Sequence, residues 1–325
     1  MERISNYYHP EFLQGATLLA TKSGYNNEVS IWQKGTEKYV LRKPREFKGL
    51  DSNISNLSPF IGPNKLDKEF EILNFLKTAN LPIAECVYHE PNSLSVYDWA
   101  IGEELDFKDP KFTHEQRKLL GFNLGKFLAK FHRSQEALEG ESLIQNLKDK
   151  HGFKDTKSKH IYRLNESIFY LLENKVFSPQ ESIEVANFGV KNINNIPQMP
   201  FRLIHGDVYS RNVFINPDSF EISTVIDWID ASEVDDPLAD LLLTARWFAF
   251  DDYLSDAENE NSIYDFNNVI SGYASVLKVP LKHSPLNLYK FYDLLWHLRV
   301  LVAENVKGNF QAINQYKQTL KSLIK

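Results

Sequence analysis

Between Phe201 and Ile229 the chain sets its densest group of polar side chains in an apolar frame, and no other stretch restricts the fold as tightly. Leu203-Ile204 leads into His205-Gly206-Asp207, and Val213-Phe214-Ile215 leads out past Arg211-Asn212. A turn at Asn216-Pro217-Asp218 then precedes Thr224-Val225-Ile226-Asp227-Trp228. Short β-branched runs separated by turn residues read as strand, loop, strand. Polar groups placed where such strands end have a fixed geometry.

The spacing is H-x-D-x-x-x-x-N, followed by an Asp at the end of an apolar strand. Phosphoryl transfer asks for this set: one carboxylate to orient an attacking hydroxyl and accept its proton, with an amide and a second carboxylate to hold magnesium. Magnesium takes hard oxygen ligands and keeps several waters, so one Asn, one Asp and triphosphate oxygens suffice. Most of the catalysis is then positioning and charge neutralisation.

These residues resemble the aminoglycoside phosphotransferase and choline kinase family, small-molecule relatives of protein kinases. His205-Gly206-Asp207 through Asn212 matches its HGDxxxxN pattern, Ile226-Asp227-Trp228 its IDW pattern, and Asp236-Pro237 with Asp240-Leu241 its DP…DLA segment. The resemblance implies Asp207 as catalytic base and Asn212 and Asp227 as ligands of Mg2+. It implies that His205 orients the catalytic loop and that Asp240 braces it. Arg211 adjoins the metal-binding Asn, where it can touch the transferred phosphoryl group or form a loop salt bridge. The resemblance also implies ATP or GTP as co-substrate, and a fold of class α+β. That fold is a bilobal, protein-kinase-like one, with a small antiparallel β-sheet lobe carrying one helix and a larger, mainly helical lobe.

The rest of the chain is organised accordingly. Residues 1–98 read as an N-terminal nucleotide-binding lobe, 99–106 as a hinge and 107–325 as a C-terminal catalytic and substrate-binding lobe. Val29–Gln33 and Lys38–Lys43 are expected strands around a turn, and Pro82–His89 and Ser93–Trp99 two more. Asp67–Thr78 repeats apolar residues at helical spacing, as does a long segment ending near His132. Further helical patterns cover 166–175, 180–192, 236–250, 263–277 and 285–305. Default readings are a core or capping role for His132 and packing for Trp228, Trp247 and Trp296.

Within the first lobe, Ser23, Gly24, Asn26 and Asn27 belong to the turn expected to cover the phosphates, although a single glycine departs from GxGxxG. On the third strand Arg42 and Lys43 point to opposite faces, so only one can meet the phosphates. The family's VLR pattern favours Arg42. Its RExxxL pattern selects Glu69 over Glu71 as the helix partner. Val96 to Glu103 resembles the interlobe hinge, which puts Tyr97 and Trp99 beside the nucleotide base.

Composition narrows the alternatives. The 325 residues are 42% apolar and 25% charged, ordinary for a globular chain long enough for two lobes. The net charge of -6 argues against nucleic acid, and no uncharged apolar run reaches membrane-spanning length. The polar N-terminus points to a cytoplasmic protein, and a monomer is the default. The lone Cys86 excludes an internal disulfide and reads as a buried strand residue. A protein kinase is disfavoured because only eight residues separate Asp227 from Asp236, too few for a peptide-holding activation loop. A metallophosphatase would need a larger His/Asp ligand set. A non-catalytic nucleotide-binding protein of the same fold stays open. Six acids between Trp247 and Leu277, with no Lys or Arg among them, place Asp251, Asp252 and Asp256 as candidate contacts to a cationic acceptor. An aminoglycoside or another amino alcohol fits such a lining, whereas a macrolide or neutral sugar asks for an apolar one. An antibiotic-modifying role and a metabolic one look alike at this level.

Overall fold

The computed structural model describes residues 10–23, 27–44, 66–107, 109–135, 152–228, 234–250, 260–277 and 285–324. An antiparallel sheet forms the N-terminal part. Its strands are β1 (Thr17–Ser23), β2 (Asn27–Lys34), β3 (Glu37–Pro44), β4 (Cys86–Glu90) and β5 (Leu94–Asp98), in the order β1-β2-β3-β5-β4. The β2–β3 hairpin closes at Gly35, whose φ of +65° suits a residue without Cβ. Helix α1 (Leu66–Lys77) packs on β4 and β5 and buries Glu69 with Ile72, Leu73 and Leu76. Leu13, Trp32, Leu41, Leu94 and Val96 form a small core of their own on this sheet.

The remainder is mainly helical: α2 (His114–Ser134), α3 (Thr156–Glu173), α4 (Pro179–Ile193), α5 (Pro237–Ala249), α6 (Glu260–Ala274), α7 (Pro285–Lys307) and α8 (Phe310–Leu323). Short strands carry the polar block, with β6 (Glu103–Glu104), β8 (Val213–Ile215) and β9 (Ile222–Val225) in one sheet, and β7 (Arg202–Leu203) paired with β10 (Val234–Asp235). Helices α2 and α6 approach closely through two glycines: a Cβ on Gly125 would lie 1.9 Å from the Val269 carbonyl oxygen, and one on Gly272 1.9 Å from that of Phe122. That contact brings Tyr273 against His132.

Several boundaries differ from expectation. The strand expected from Pro82 starts at Cys86, because residues 82–85 serve another partner: the Pro82 carbonyl accepts from Val225 N–H at 2.8 Å, and Ile83 bridges Val225 in parallel. The helix expected at 166–175 begins at Thr156, where Asp155 caps it by accepting from Ser158 N–H at 2.7 Å. Its polar first turns hide the start from an apolar periodicity. Helix α8, capped by Asn309, lies beyond the expected helices.

Candidate active site

A cleft of 240 Å³ opens between the N-terminal sheet and the polar block. Val29, Ile31 and Val40 line it from the sheet, and Arg211, Phe214, Ile226 and Asp227 from the other side. Val40 and Arg42, two positions apart on β3, both face it, whereas Lys43 is not in the lining. Arg42 is the central group. Its Nη1 donates to both carboxylate oxygens of Glu69 at 3.1 and 3.2 Å, and its Nη2 donates to Asp227 Oδ1 at 2.9 Å.

Glu69, only 1% exposed, also accepts from the Tyr97 hydroxyl at 2.7 Å and from Trp228 N–H at 2.9 Å. Burial pushes its carboxyl above the ordinary value, while Arg42, Tyr97 and Trp228 pull it back. For Arg42 burial works against the charge, but the two carboxylates outweigh it and hold the guanidinium above its ordinary value. Glu71 is exposed. Trp99 lines the cleft at 43% exposure, with the Lys38 ammonium 5.3 Å from its ring centre. The following segment is pinned to the helical part: Ile101 N–H donates to Thr224 Oγ1 at 3.0 Å, and Leu105 N–H to the Val213 carbonyl at 2.8 Å.

Asp207 and Asn212 meet directly, since Asn212 Nδ2 donates to Asp207 Oδ2 at 2.9 Å and to its backbone carbonyl at 3.0 Å. Asn212 in turn accepts, at its own carbonyl, from Ile226 N–H at 2.9 Å, which ties this loop to the residue before Asp227. The backbone turns sharply through left-handed conformations at Gly206 (φ +81°), Arg211 (φ +78°) and Asp227 (φ +65°). For Arg211 and Asp227 that conformation costs roughly 1–3 kcal/mol, strain of the kind held at functional loops. Arg211 is exposed on the cleft wall and, among the described residues, forms no ion pair.

A buried frame holds this loop from behind. Asp240 on α5 accepts from His205 N–H at 2.7 Å with one oxygen and from Gly206 N–H at 2.6 Å with the other. His205 Nδ1 accepts from Asp207 N–H at 3.2 Å, so Nε2 carries the proton and donates to the Ile226 carbonyl at 3.0 Å. Burial lowers the pKa of this ring, which stays a neutral strut. His132 is buried, as its default reading has it. It also does more: Nε2 meets Asp240 Oδ2 at 3.3 Å, and Nδ1 meets the Tyr273 hydroxyl at 2.9 Å. Asp236 caps α5 through Leu238 N–H at 2.9 Å and accepts from the Tyr292 hydroxyl at 2.5 Å.

The remaining candidates divide. Asn27 is buried at the start of β2, and Ser23 ends β1 opposite Glu28. Gly24 and Asn26 lie outside the described residues, as do Asp251, Asp252 and Asp256. Phe248 near the end of α5 and Phe250 just beyond it are buried. Phe248 stands edge-on to Phe107, and Phe250 stacks on Tyr289. Cys86 is half-buried in β4, and burial, followed by the nearby Glu69, pushes its thiol up to about 12, so it is no nucleophile at neutral pH. Trp228, Trp247 and Trp296 are packed in the core.

Sequence reasoning missed the Tyr97 hydroxyl as a partner of Glu69, and it missed His132 as the support of Asp240. Strand alternation carries a trace of the first, because Val40 opposite Tyr97 faces the same cleft.

Comparison with known proteins bears on the family and the fold. The profile of the APH group, described as the phosphotransferase enzyme family, matches residues 17–266. The chain belongs to this phosphotransferase family. A mouse protein, acyl-CoA dehydrogenase family member 11, is 24% identical over 255 residues, covering 74% of this chain. The chain spans 30% of the length of that relative. Among solved structures, the gentamicin complex of APH(2")-IIa superposes with a TM-score of 0.64 at 17% identity, covering 94% of this chain and 90% of the other. Ethanolamine kinase from Plasmodium vivax gives a TM-score of 0.65 at 15% identity over 97% and 83%. The GDP complex of aminoglycoside 2'-phosphotransferase-IIIa gives 0.62 at 15% identity over 95% and 93%. These phosphotransferases share the kinase-like fold seen here, with its antiparallel N-terminal sheet and helical C-terminal part.

Proposed function

We propose that this phosphotransferase moves the γ-phosphoryl group of ATP or GTP to a hydroxyl of a small molecule, with Asp207 as base. The observation that carries this reading is the continuous set of contacts from Glu69 through Arg42 to Asp227, joined through Ile226 and Asn212 to Asp207. Arg42, Glu69 and Asp227 line the cleft, and Asp207 with Asn212 adjoins it through Ile226; a cation, carboxylates and an amide gathered in this way support phosphoryl transfer.

The acceptor hydroxyl donates to Asp207, and its oxygen attacks the γ-phosphorus as its proton passes to that carboxylate. The bond from phosphorus to the β–γ bridging oxygen breaks, and the nucleoside diphosphate leaves with the electron pair. Asn212 Nδ2 holds Asp207 in the acceptor-facing position. Arg42 bears on the α- and β-phosphates, kept rigid by Glu69, and Arg211 offers charge to the transferred group. Asp240 and His205 fix the loop backbone.

The oxygen donors fit magnesium. The Nδ2 end of Asn212 is committed to Asp207, which leaves its amide oxygen for a cation, and Asp227 is 38% exposed with one oxygen on Arg42. Among the described residues no cluster of three or more His, Cys, Asp or Glu forms a metal cage, and magnesium held by two protein oxygens would take the rest of its shell from phosphate oxygens and water. When bound, Mg2+ would neutralise phosphate charge.

Residues 1–98 and 107–325 act as lobes about the 99–106 hinge, with Trp99 and the backbone near Tyr97 at the base. The acidic stretch containing Asp251, Asp252 and Asp256 favours a cationic acceptor, an aminoglycoside or another amino alcohol. The protein works in the cytoplasm as a monomer.

The test is release of ADP or GDP with magnesium against a panel of aminoglycosides, choline, ethanolamine, homoserine, macrolides and simple sugars. Stimulation by an amine-bearing acceptor, with a higher KM after Asp251→Asn, Asp252→Asn and Asp256→Asn together, is the expected result. Nucleotide binding with no acceptor-dependent release from any class would point to a non-catalytic nucleotide-binding protein.

A further inference from the structure

A second cavity, of 340 Å³, lies where the connection between α1 and β4 meets α2 and the turn before β9. It shares no lining residue with the nucleotide cleft. Its volume falls within the roughly 300–1,000 Å³ of ligand sites. Asn123, Lys126, Phe127 and Lys130 line it from one face of α2, at the three- and four-residue intervals of a helix. Leu81 and Pro82 come from the connection, and Ile222 from β9.

The lining has two characters. Phe127, Leu81, Pro82 and Ile222 form an apolar wall, with Phe127 fully in the core and Ile222 packed against it. Lys126 is half-buried and Lys130 exposed at the mouth, and neither makes an ion pair among the described residues. Two ammonium groups one helical turn apart repel each other, and partial burial removes hydration from Lys126. An anion seated between them relieves both costs. Glu221, exposed on the turn, is the acid in the lining, so it steers an anionic head toward α2. The Asn123 side chain is already committed to the Phe220 carbonyl at 2.8 Å and serves as a fixed wall.

We propose that this cavity binds a small organic anion, a carboxylate or phosphate head on a short apolar body. Its position puts such a ligand against β9 and against the connection that follows α1, the segments next to the two that bring Arg42 its partners. Helix α1, which carries Glu69, runs into the Leu81–Pro82 wall. The Pro82 carbonyl bonds Val225 N–H, two residues before Asp227. The inference does not depend on the reading of the cleft as a nucleotide site.

The test titrates the full chain with octanoate, phenyl phosphate and inorganic phosphate by calorimetry, with hydrogen exchange to locate the protected amides. Octanoate or phenyl phosphate is expected to bind, protecting residues 79–83 and 123–130. The Lys126→Gln/Lys130→Gln double variant is expected to weaken that binding about tenfold or more, a loss of at least 1.4 kcal/mol. Ile222→Trp, which fills the apolar wall, is expected to abolish it. Whichever of the two organic probes binds more tightly names the head group. The proposal is overturned if neither organic probe binds at millimolar concentration, or if binding survives both variants. Inorganic phosphate binding as tightly as phenyl phosphate would remove the apolar body from the ligand class.

Discussion

Arg42 on β3 and Asp227 beyond β9 stand 185 positions apart in the chain, yet Nη2 of the first donates to Oδ1 of the second at 2.9 Å. The same guanidinium covers Glu69, which has almost no other access to solvent. Truncating Arg42 therefore strands a buried carboxylate. Arg42→Ala is expected to cost about 3–5 kcal/mol of stability by urea unfolding. An Arg42→Met/Glu69→Leu pair should recover most of that loss, because both charges leave together. A cost below about 1 kcal/mol for the single variant would show the pair to be solvated.

Asp207→Asn keeps the shape of the loop but removes the carboxylate proposed as proton acceptor. Turnover should fall by about 10²- to 10⁴-fold, with little change in acceptor KM and an unchanged unfolding midpoint. A loss confined to KM would make Asp207 a binding group instead.

Asp240 holds two consecutive loop amides through its two oxygens. Asp240→Asn keeps one acceptor and turns the other into a donor facing an N–H. A loss of about 1–3 kcal/mol is expected in thermal or urea unfolding, with kcat falling more than KM as the loop loosens. His132→Ala should show a smaller effect in the same direction, since it removes one contact to Asp240 at 3.3 Å.

His205 sets a pH dependence. Burial lowers its folded pKa below the ordinary 6.5, so in the unfolded chain it binds a proton at higher pH than in the folded one. Its contribution is intact above pH 6.5 and is lost progressively as pH falls from there through the folded pKa. Imidazole ¹⁵N NMR at pH 6.5 should show a neutral ring with the proton on Nε2. A half-protonated ring at that pH would contradict the strut role. Between pH 7 and 5.5, His205→Asn should flatten the stability slope relative to the unsubstituted protein.

The polar block was legible because its groups lie within a few residues of one another: Asp207 and Asn212 are five apart and bond directly. Four of the five strands of the N-terminal sheet and most helices followed from alternation and apolar spacing, whereas β1 (Thr17–Ser23) was not among the expected strands. What escaped depends on the folded chain. His132 reaches Asp240 across 108 positions, and the Tyr97 hydroxyl finds Glu69 across 28. The start of α3 was hidden because its first turns are polar, and its N-cap at Asp155 is a weaker signal than an apolar stripe. Pro82 reads as strand from its neighbours, yet its carbonyl is taken by β9 instead of the adjacent strand.

The most direct test follows the phosphoryl group itself. With an acceptor, magnesium and γ-³²P-labelled ATP or GTP, the unsubstituted protein should yield labelled acceptor, and Asp207→Asn and Asn212→Ala should yield almost none. Label appearing only as inorganic phosphate, or transfer that persists in Asp207→Asn, would contradict the assignment of this cleft to phosphoryl transfer with Asp207 as base.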